Sequence, residues 1–472
     1  MMRARLIVLS LLAAGLAGCS LAPTYQVPEA SPPAGSYQES PNWKQAQPAD
    51  ALVRGKWWQV YGDDGLNALQ DKVSVGNQSL QAALARLQQA RAQAEFAGAS
   101  RYPTVDARAG VTRSRTSVNS PGFKPGVEPV GNNYNLGLDL SYELDVFGRV
   151  RNQASAAEAG RQASAADVAT LELSVRAELA SDYFSLRSDD AQQALLDRTV
   201  EEYAKALQLT ENLFKGGAAA AIDVSQAQVQ LETARTRAAD LRLHRAQIQH
   251  AIAVLLGENP SSFKLAPLPL AETLAPPAID PGLPSALLER RPDVAAAERR
   301  VAAANASIGV AKAAYFPVFS LAAAFGYDST QSGSWLQAPS HAWSLGPAAA
   351  LTLFDGGRRR AQNEQAQAAY DEQVANYRNT VLAAYRDVED SLAALRELER
   401  QSLTQAAAAT AASKALEQSN YRYKGGLSTY LEVSVNQNAA LQAQLAASAI
   451  QLRRLQASVQ LVKALGGGWR PG

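Results

Sequence analysis

The stretch "LGLDLSYELDV", residues 136–146, alternates without a slip. Leu136, Leu138, Leu140, Tyr142, Leu144 and Val146 are apolar, and Gly137, Asp139, Ser141, Glu143 and Asp145 stand between them. A period of two assigns the sets to opposite faces of a strand. Val105/Ala107/Ala109/Val111 and Phe319/Leu321/Ala323/Phe325/Tyr327 repeat the pattern. So do Trp343, Leu345, Ala349, Leu351 and Leu353, with Ser344, Gly346, Ala348 and Thr352 on the other face. Two hairpins are predicted, from strands at about 104–117 with 132–147, and about 317–329 with 342–354. Strands of about ten residues fit a bilayer when tilted. Their backbone tolerates no open edge in hydrocarbon, so the sheet must close. Four strands cannot close, since the smallest membrane barrels use eight. The chain is therefore expected to associate, with the apolar face toward lipid and Asp139, Glu143 and Asp145 toward water. A soluble β-sandwich would need further strands to cover the apolar face, and none are visible.

Outward from the hairpins the sequence repeats. Prolines are missing from 130 to 259 and from 348 to 470, and crowd into 23–48, 103–129, 260–292 and 317–347. Gly148-Arg149 matches Gly357-Arg358, and Leu256-Gly257 matches Leu465-Gly466, at one offset of 209. "LFKGGAAAAIDV" (213–224) matches "YRYKGGLSTYLEV" (421–433) at that same offset. Upstream, "ARLQQARAQAEFAGASRYP" (85–103) pairs with "RRVAAANASIGVAKAAYFP" (299–317) at an offset of 214. This is a tandem duplication, whose length difference falls in the first hairpin, where insertion is tolerated. Repeat 1 covers 55–259 and repeat 2 covers 292–472, joined by a Pro-rich linker at 260–291. Each has a short helix (about 77–101, 292–315), a hairpin, a long helix (about 149–214, 358–423) and a returning helix (about 219–257, 429–465). At 1.5 Å per residue the long helices extend about 100 Å. The returning helices keep a 3-4 spacing, Leu231/Ala234/Ala238/Leu241/Ile248/Ile252/Leu255 and Leu441/Leu445/Leu452/Leu455/Val459/Val462. Such spacing, with many alanines, suits coiled-coil packing at close range.

Forty-five basic and 44 acidic residues leave a formal charge of +1, which points away from nucleic acid. Arg3 and Arg5 precede an apolar run, Leu6 to Leu16, too short to span a bilayer. It ends at Cys19, the only cysteine, followed by Ser20. The pattern resembles a bacterial lipoprotein signal, with residues 1–18 removed, Cys19 lipidated and 19–54 an extended linker. Beyond that covalent lipid no cofactor is expected. No catalytic constellation is legible among His244, His250 and His341, and no P-loop or metal-ligand spacing is present.

Five segments then carry a family resemblance: "GKWWQVYGDDGLNAL" (55–69), "LSYELDVFGRVRNQ" (140–153), "LLERRPDVAAAERRVAAANASIGVAKAAYFP" (287–317), "LFDGGRRRAQ" (353–362) and "ALGGGW" (464–469). The chain resembles the TolC-like outer-membrane efflux proteins, in particular their lipidated branch. The resemblance implies a mainly α fold with a membrane β-barrel. It implies a homotrimer, with a 12-stranded β-barrel continued by a long periplasmic α-helical barrel. The Pro-rich segments near 40–60 and 258–292 become a belt around the tunnel. The implied function is a passive conduit for small molecules, powered through a periplasmic adaptor and an inner-membrane pump. The rival readings are a coiled-coil tether or scaffold without a pore, and a duct for polypeptides.

By the same resemblance, Gly216, Gly217, Ala218, Gly425, Gly426 and Leu427 form the tip that docks the adaptor. Asp223 and Glu432, equivalent under the 209 offset, become rings of carboxylates in a trimer and candidates for a cation-biased gate. Relatives often carry an aspartate in an "LDAQ"-like stretch, where "VSVNQ" (433–437) has Val435, so a hydrophobic constriction is a further candidate. Thr429 with Glu432 is expected to form a capping box. "GGAAAAID" has only alanines in the corresponding place, so the first-copy tip is expected to be the looser.

Overall fold

The computed structural model describes residues 20–30, 38, 55–121, 123–124, 126–271, 274–279 and 290–467. Residues 1–18, Cys19, most of the 19–54 linker and 280–289 lie outside it, and the expectations placed on them with it. The chain divides into two units. One holds Met1–Glu29, Leu87–Ser164 and Ala296–Tyr377, and the other holds Ala30–Arg86, Ala165–Ala295 and Arg378–Gly472.

The elements follow the duplicated order. A 3₁₀ turn at Trp57–Tyr61 leads to α1 (Asp64–Gly76) and α2 (Gln78–Ala99). The hairpin β1 (Thr104–Arg115) and β2 (Val130–Leu144) is followed by α3 (Arg149–Lys215) and α4 (Ala221–Leu256). The second copy runs α5 (Pro292–Ala313), β3 (Val318–Ser329), β4 (His341–Ala350), α6 (Arg358–Lys424) and α7 (Tyr430–Ala464). The first copy therefore carries a helix, α1, ahead of the one read at about 77–101, and Asn77 marks the break between them. Its side-chain oxygen takes the Leu80 N–H at 2.8 Å, an N-cap bond, while its amide donates to the Leu255 carbonyl.

In the first unit the two hairpins form one antiparallel sheet in the order β1-β2-β3-β4. Its register aligns the apolar sets across all four strands: Ala107 faces Leu138, Leu138 faces Phe325, and Phe325 faces Trp343. Among the described residues, β1 and β4 each have one unpaired edge. Pro347 lies in β4, where an edge strand can spare the missing N–H. Two strand ends differ from expectation. β4 stops at Ala350, opposite Val318, because the partner strand is preceded by Pro317; Leu351 and Leu353 are exposed beyond the ladder. β2 stops at Leu144 because Asp145 turns to cap α3, its oxygens accepting the Val150 and Arg151 N–H groups at 3.0 and 2.8 Å. Asp355 does the same for α6, accepting from Gly357 and Arg359 N–H.

In the second unit the helices pack through small buried seams. Leu196, Ala238 and Leu441 form one cluster, and Tyr203, Leu231 and Ala234 another. Ala227, Tyr430 and Val433 form a third, with Leu207, Leu416 and Tyr423 against it. Alanines at the crossing points let α3, α4 and α7 approach closely, as the 3-4 spacing requires. The aromatic core sits elsewhere, at Trp57, Tyr61, Tyr183 and Phe184. There Tyr61 Oη is hydrogen-bonded to Ser458 at 2.7 Å.

Candidate functional site: helix reversals and a one-sided sheet

Both long helices end in the same geometry. At the first, Ala218 N–H donates to Leu213 O at 2.8 Å and Gly217 N–H to Phe214 O at 3.0 Å. At the second, Leu427 N–H donates to Arg422 O and Gly426 N–H to Tyr423 O at the same distances. These are Schellman motifs, which require a left-handed residue. Gly217 and Gly426 supply it, with φ of 76° and 68°. Gly216, Gly217, Ala218, Gly425, Gly426 and Leu427 are all exposed, Leu427 at 74 %.

Past the turns, the expected caps are exchanged. Thr429 makes no side-chain cap bond. Glu432 instead pairs with Arg422, 3.4 Å away on the outgoing helix. In the first copy Asp223 reaches back to the Ala220 N–H at 3.1 Å. The cap comes from the residue three places into the helix, so alanines at the N-cap do not leave that end bare. The ground for a looser first tip is thereby removed. The two returning helices meet directly just beyond, where Gln230 donates to Ser434 Oγ at 2.9 Å. Burial pushes the Tyr430 phenol there up to about 12. Asp223 and Glu432 thus lie in the first turns of neighbouring helices, each engaged with its own reversal. Val435 is 59 % exposed and continues a stripe with Leu427 and Leu431 along one side of the second reversal and α7.

The sheet is one-sided in chemistry. Val105, Val111, Leu138, Phe325, Trp343 and Leu345 are all exposed on one face, Trp343 at 72 %. The opposite face carries Asp139, joined to Arg108 at 3.3 Å. Glu143 and Asp145, expected to face open water, are engaged at the strand–helix junction. Glu143 binds Arg149 through two contacts, 2.8 and 2.5 Å, and Asp145 also holds the Arg151 guanidinium. Phe147 stacks on Phe316 at 4.6 Å beside that junction. Ser20 is docked at the same place. Its hydroxyl donates to Asn152 at 3.1 Å, and its Cα lies so close that a Cβ on Gly148 would sit 3.2 Å from it.

A charged cluster in the second unit escaped the sequence reading. Asp190 is held by Arg187 at 3.4 Å and Arg245 at 2.5 Å, and accepts the Leu268 N–H at 2.8 Å. Arg187 and Arg245 also donate to the Ala266 and Leu265 carbonyls, pinning the segment after α4. Burial raises the Asp189 carboxyl, opposed by its hydrogen bond with His244 at 2.8 Å. Its signal was three charged residues, Arg187-Ser188-Asp189-Asp190, on a helix face that must be buried. Arg291 plays the matching part after the linker, bonding Asp293, Asp387 and the Ala464 carbonyl. Burial works against its charge, but the two carboxylates outweigh it and hold its pKa above the ordinary value.

Residues 69–258 and 283–467 match the outer membrane efflux protein family. The chain belongs to that family. This outer membrane efflux protein is 34 % identical to outer membrane protein OprJ of Pseudomonas aeruginosa, over 98 % of this chain and 95 % of that one. It is 34 % identical to the toluene efflux pump outer membrane protein TtgC of Pseudomonas putida, over 96 % and 93 %. The solved outer-membrane channel OprN superposes with a TM-score of 0.87 at 30 % identity, covering 96 % of this chain and all of that one. The TolC-like fold and the outer-membrane location follow from the family and its structures.

Proposed function

We propose that three copies of this chain form a passive duct across the outer membrane, the exit component of a tripartite exporter of small toxic compounds. The observation that carries it is the sheet: a continuous exposed apolar face, a polar opposite face and two open edges. An exposed apolar face of that extent needs a lipid solvent, and open edges in lipid need partners. Three four-stranded sheets joined edge to edge make twelve strands, within the range of membrane barrels. The two glycine reversals are the docking points for a periplasmic adaptor, and an inner-membrane pump supplies energy. Solvents suit the conduit, since TtgC belongs to a toluene efflux pump. Asp223 and Glu432 ring the narrow end, and the Leu427–Leu431–Val435 stripe constricts it. Lipid on Cys19 anchors the chain, which the docking of Ser20 at the strand–helix junction supports. No chemical step is needed.

In cells lacking their own outer-membrane exit channel, the chain should restore solvent tolerance only when adaptor and pump are also present. Native mass measurement of the detergent-solubilised protein should give three copies. A monomer, or tolerance without an adaptor, would contradict the reading. Metabolic labelling with palmitate should mark the wild type and not Cys19→Ala.

A further inference from the structure

The outward face of β1 changes character at its far end. Counting rows of facing residues, the apolar band begins at Leu144–Phe319–Ala349 and ends at Val111–Tyr134–Ser329. Ten residues of β2 separate those rows, about 34 Å along a strand and about 26 Å at a tilt near 40°. That equals the ~25 Å apolar band of outer-membrane barrels. Aromatic rings mark its outer margin: Tyr134 lies against Trp335 at 5.7 Å, and His341 against Tyr327 at 6.0 Å. The next two rows on the same face carry Arg113, opposite Asn132, and Arg115, opposite Val130. They stand about 5 and 10 Å above the band.

Both arginines are exposed, as is Lys124 in the adjoining loop. Among the described residues none of the three has a carboxylate within ion-pair distance, Glu128 of the same hairpin included. On the opposite face, β1 and β2 carry no charge at these rows. Thr112 and Ser114 are the β1 residues there, and Asn133 reaches Asp328 at 3.5 Å. The nearest carboxylate of the opposite face, Asp328, lies in the Asn135 row, about 8 Å below Arg113, while the guanidiniums face outward. A cation near the band edge costs little, whereas at mid-depth it is strongly unfavourable.

We propose that Arg113 and Arg115 bind phosphate groups of outer-leaflet lipid headgroups, fixing the depth of the barrel. The proposal rests on the lipid-facing reading of the sheet. A guanidinium matches phosphate through two parallel N–H bonds. Each basic group near an anionic membrane surface favours binding about fivefold, so the pair gives about 30-fold.

The test is native mass spectrometry of the intact assembly with diphosphorylated lipid A, its dephosphorylated form, or inorganic phosphate. Wild type should prefer the phosphorylated lipid about 30-fold. The Arg113→Gln/Arg115→Gln protein should hold both lipids equally, while Arg113→Lys/Arg115→Lys keeps most of the preference. Arg108→Gln, on the lumenal face, should leave it intact. The same spectra report assembly; should the double variant fail to assemble, each single Gln variant is expected to lose about fivefold. A preference that survives the Gln substitutions overturns the proposal, as does competition by inorganic phosphate as effective as that by lipid. Quenching of Trp343 by brominated lipid, read against Trp343→Phe, separately reports whether the face meets hydrocarbon. Loss of that quenching would sink the barrel reading; its retention without headgroup preference would sink only the arginine site.

Discussion

Replacing Gly257 by alanine should damage this protein far more than the same change at Gly426, although both glycines end helices with positive φ. Gly257 stands at φ 69° and Gly426 at φ 68°, so the conformational penalty is common, about 1–2 kcal/mol. Their surroundings differ. A Cβ at Gly426 meets nothing within 4 Å. At Gly257 it would overlap the Gly76 carbonyl oxygen, with the carbonyl carbon 2.6 Å away and the Gly76 Cα 3.2 Å away. The obstacle is backbone, held on one side by α1 and on the other by the Asn77 bond to Leu255. Overpacking against a rigid neighbour adds about 1–3 kcal/mol. The total, about 2–5 kcal/mol, predicts an apparent Tm lowered by about 2–10 °C in a chain of this length, against about 1–4 °C for Gly426→Ala. The duplication supplies an internal control. A Cβ at Gly466, with φ 87°, would stand 2.8 Å from the Arg290 carbonyl carbon, so Gly466→Ala should behave like Gly257→Ala. Thermal unfolding followed by far-UV circular dichroism measures all three. Equal shifts for the three variants would refute the claim that the end of each returning helix is a backbone contact point.

Other expectations are read the same way. Burial and the nearby Glu178 raise the Asp182 carboxyl to about 6. Its ionisation therefore opposes folding, with the stability present below pH ~3.8 and lost as pH rises through ~6. Asp182→Asn should stabilise by about 1–2 kcal/mol at pH 7.5, after discounting for partial exposure, and by nothing below pH 4; equal gains at both would contradict it. Asp190→Ala strands two arginines and frees the Leu268 N–H, which should cost about 3–5 kcal/mol and speed hydrogen exchange at 265–270. Unchanged exchange there would mean the cluster does not hold the segment. At the reversals, Asp223→Ala should speed exchange at the Ala220 amide, while Glu432→Ala leaves the Thr429 amide unaffected. The opposite result would reinstate the capping box at Thr429.

The sequence foretold the large architecture because it is written in local periods. Alternation over 136–144 placed β2, and the two Gly-Gly pairs placed both reversals, since only glycine enters the left-handed turn cheaply. The long helices were bounded to within a residue at Lys215 and Lys424 for the same reason. What escaped depends on partners distant in sequence. β4 ends where Pro317 withdraws its partner, and Asp145 leaves the lumenal set because α3 needs a cap. Arg187, Asp190 and Arg245 look like solvated helix charges until the segment after α4 folds over them. Glu432 matched a capping box by spacing, yet an arginine ten residues earlier, across the turn, competes for it with a full charge. Repeat equivalence was also an imperfect guide, since Asp223 caps and its counterpart pairs.

Single-channel recording of the purified protein in a planar bilayer tests the central claim, a trimeric duct, most directly. Discrete current steps are expected without nucleotide or any other energy source. A salt gradient should show cation preference, reduced in the Asp223→Asn/Glu432→Gln protein. A correctly assembled trimer that inserts into the bilayer yet passes no current, with the tip intact or its Arg422–Glu432 pair removed, would contradict it.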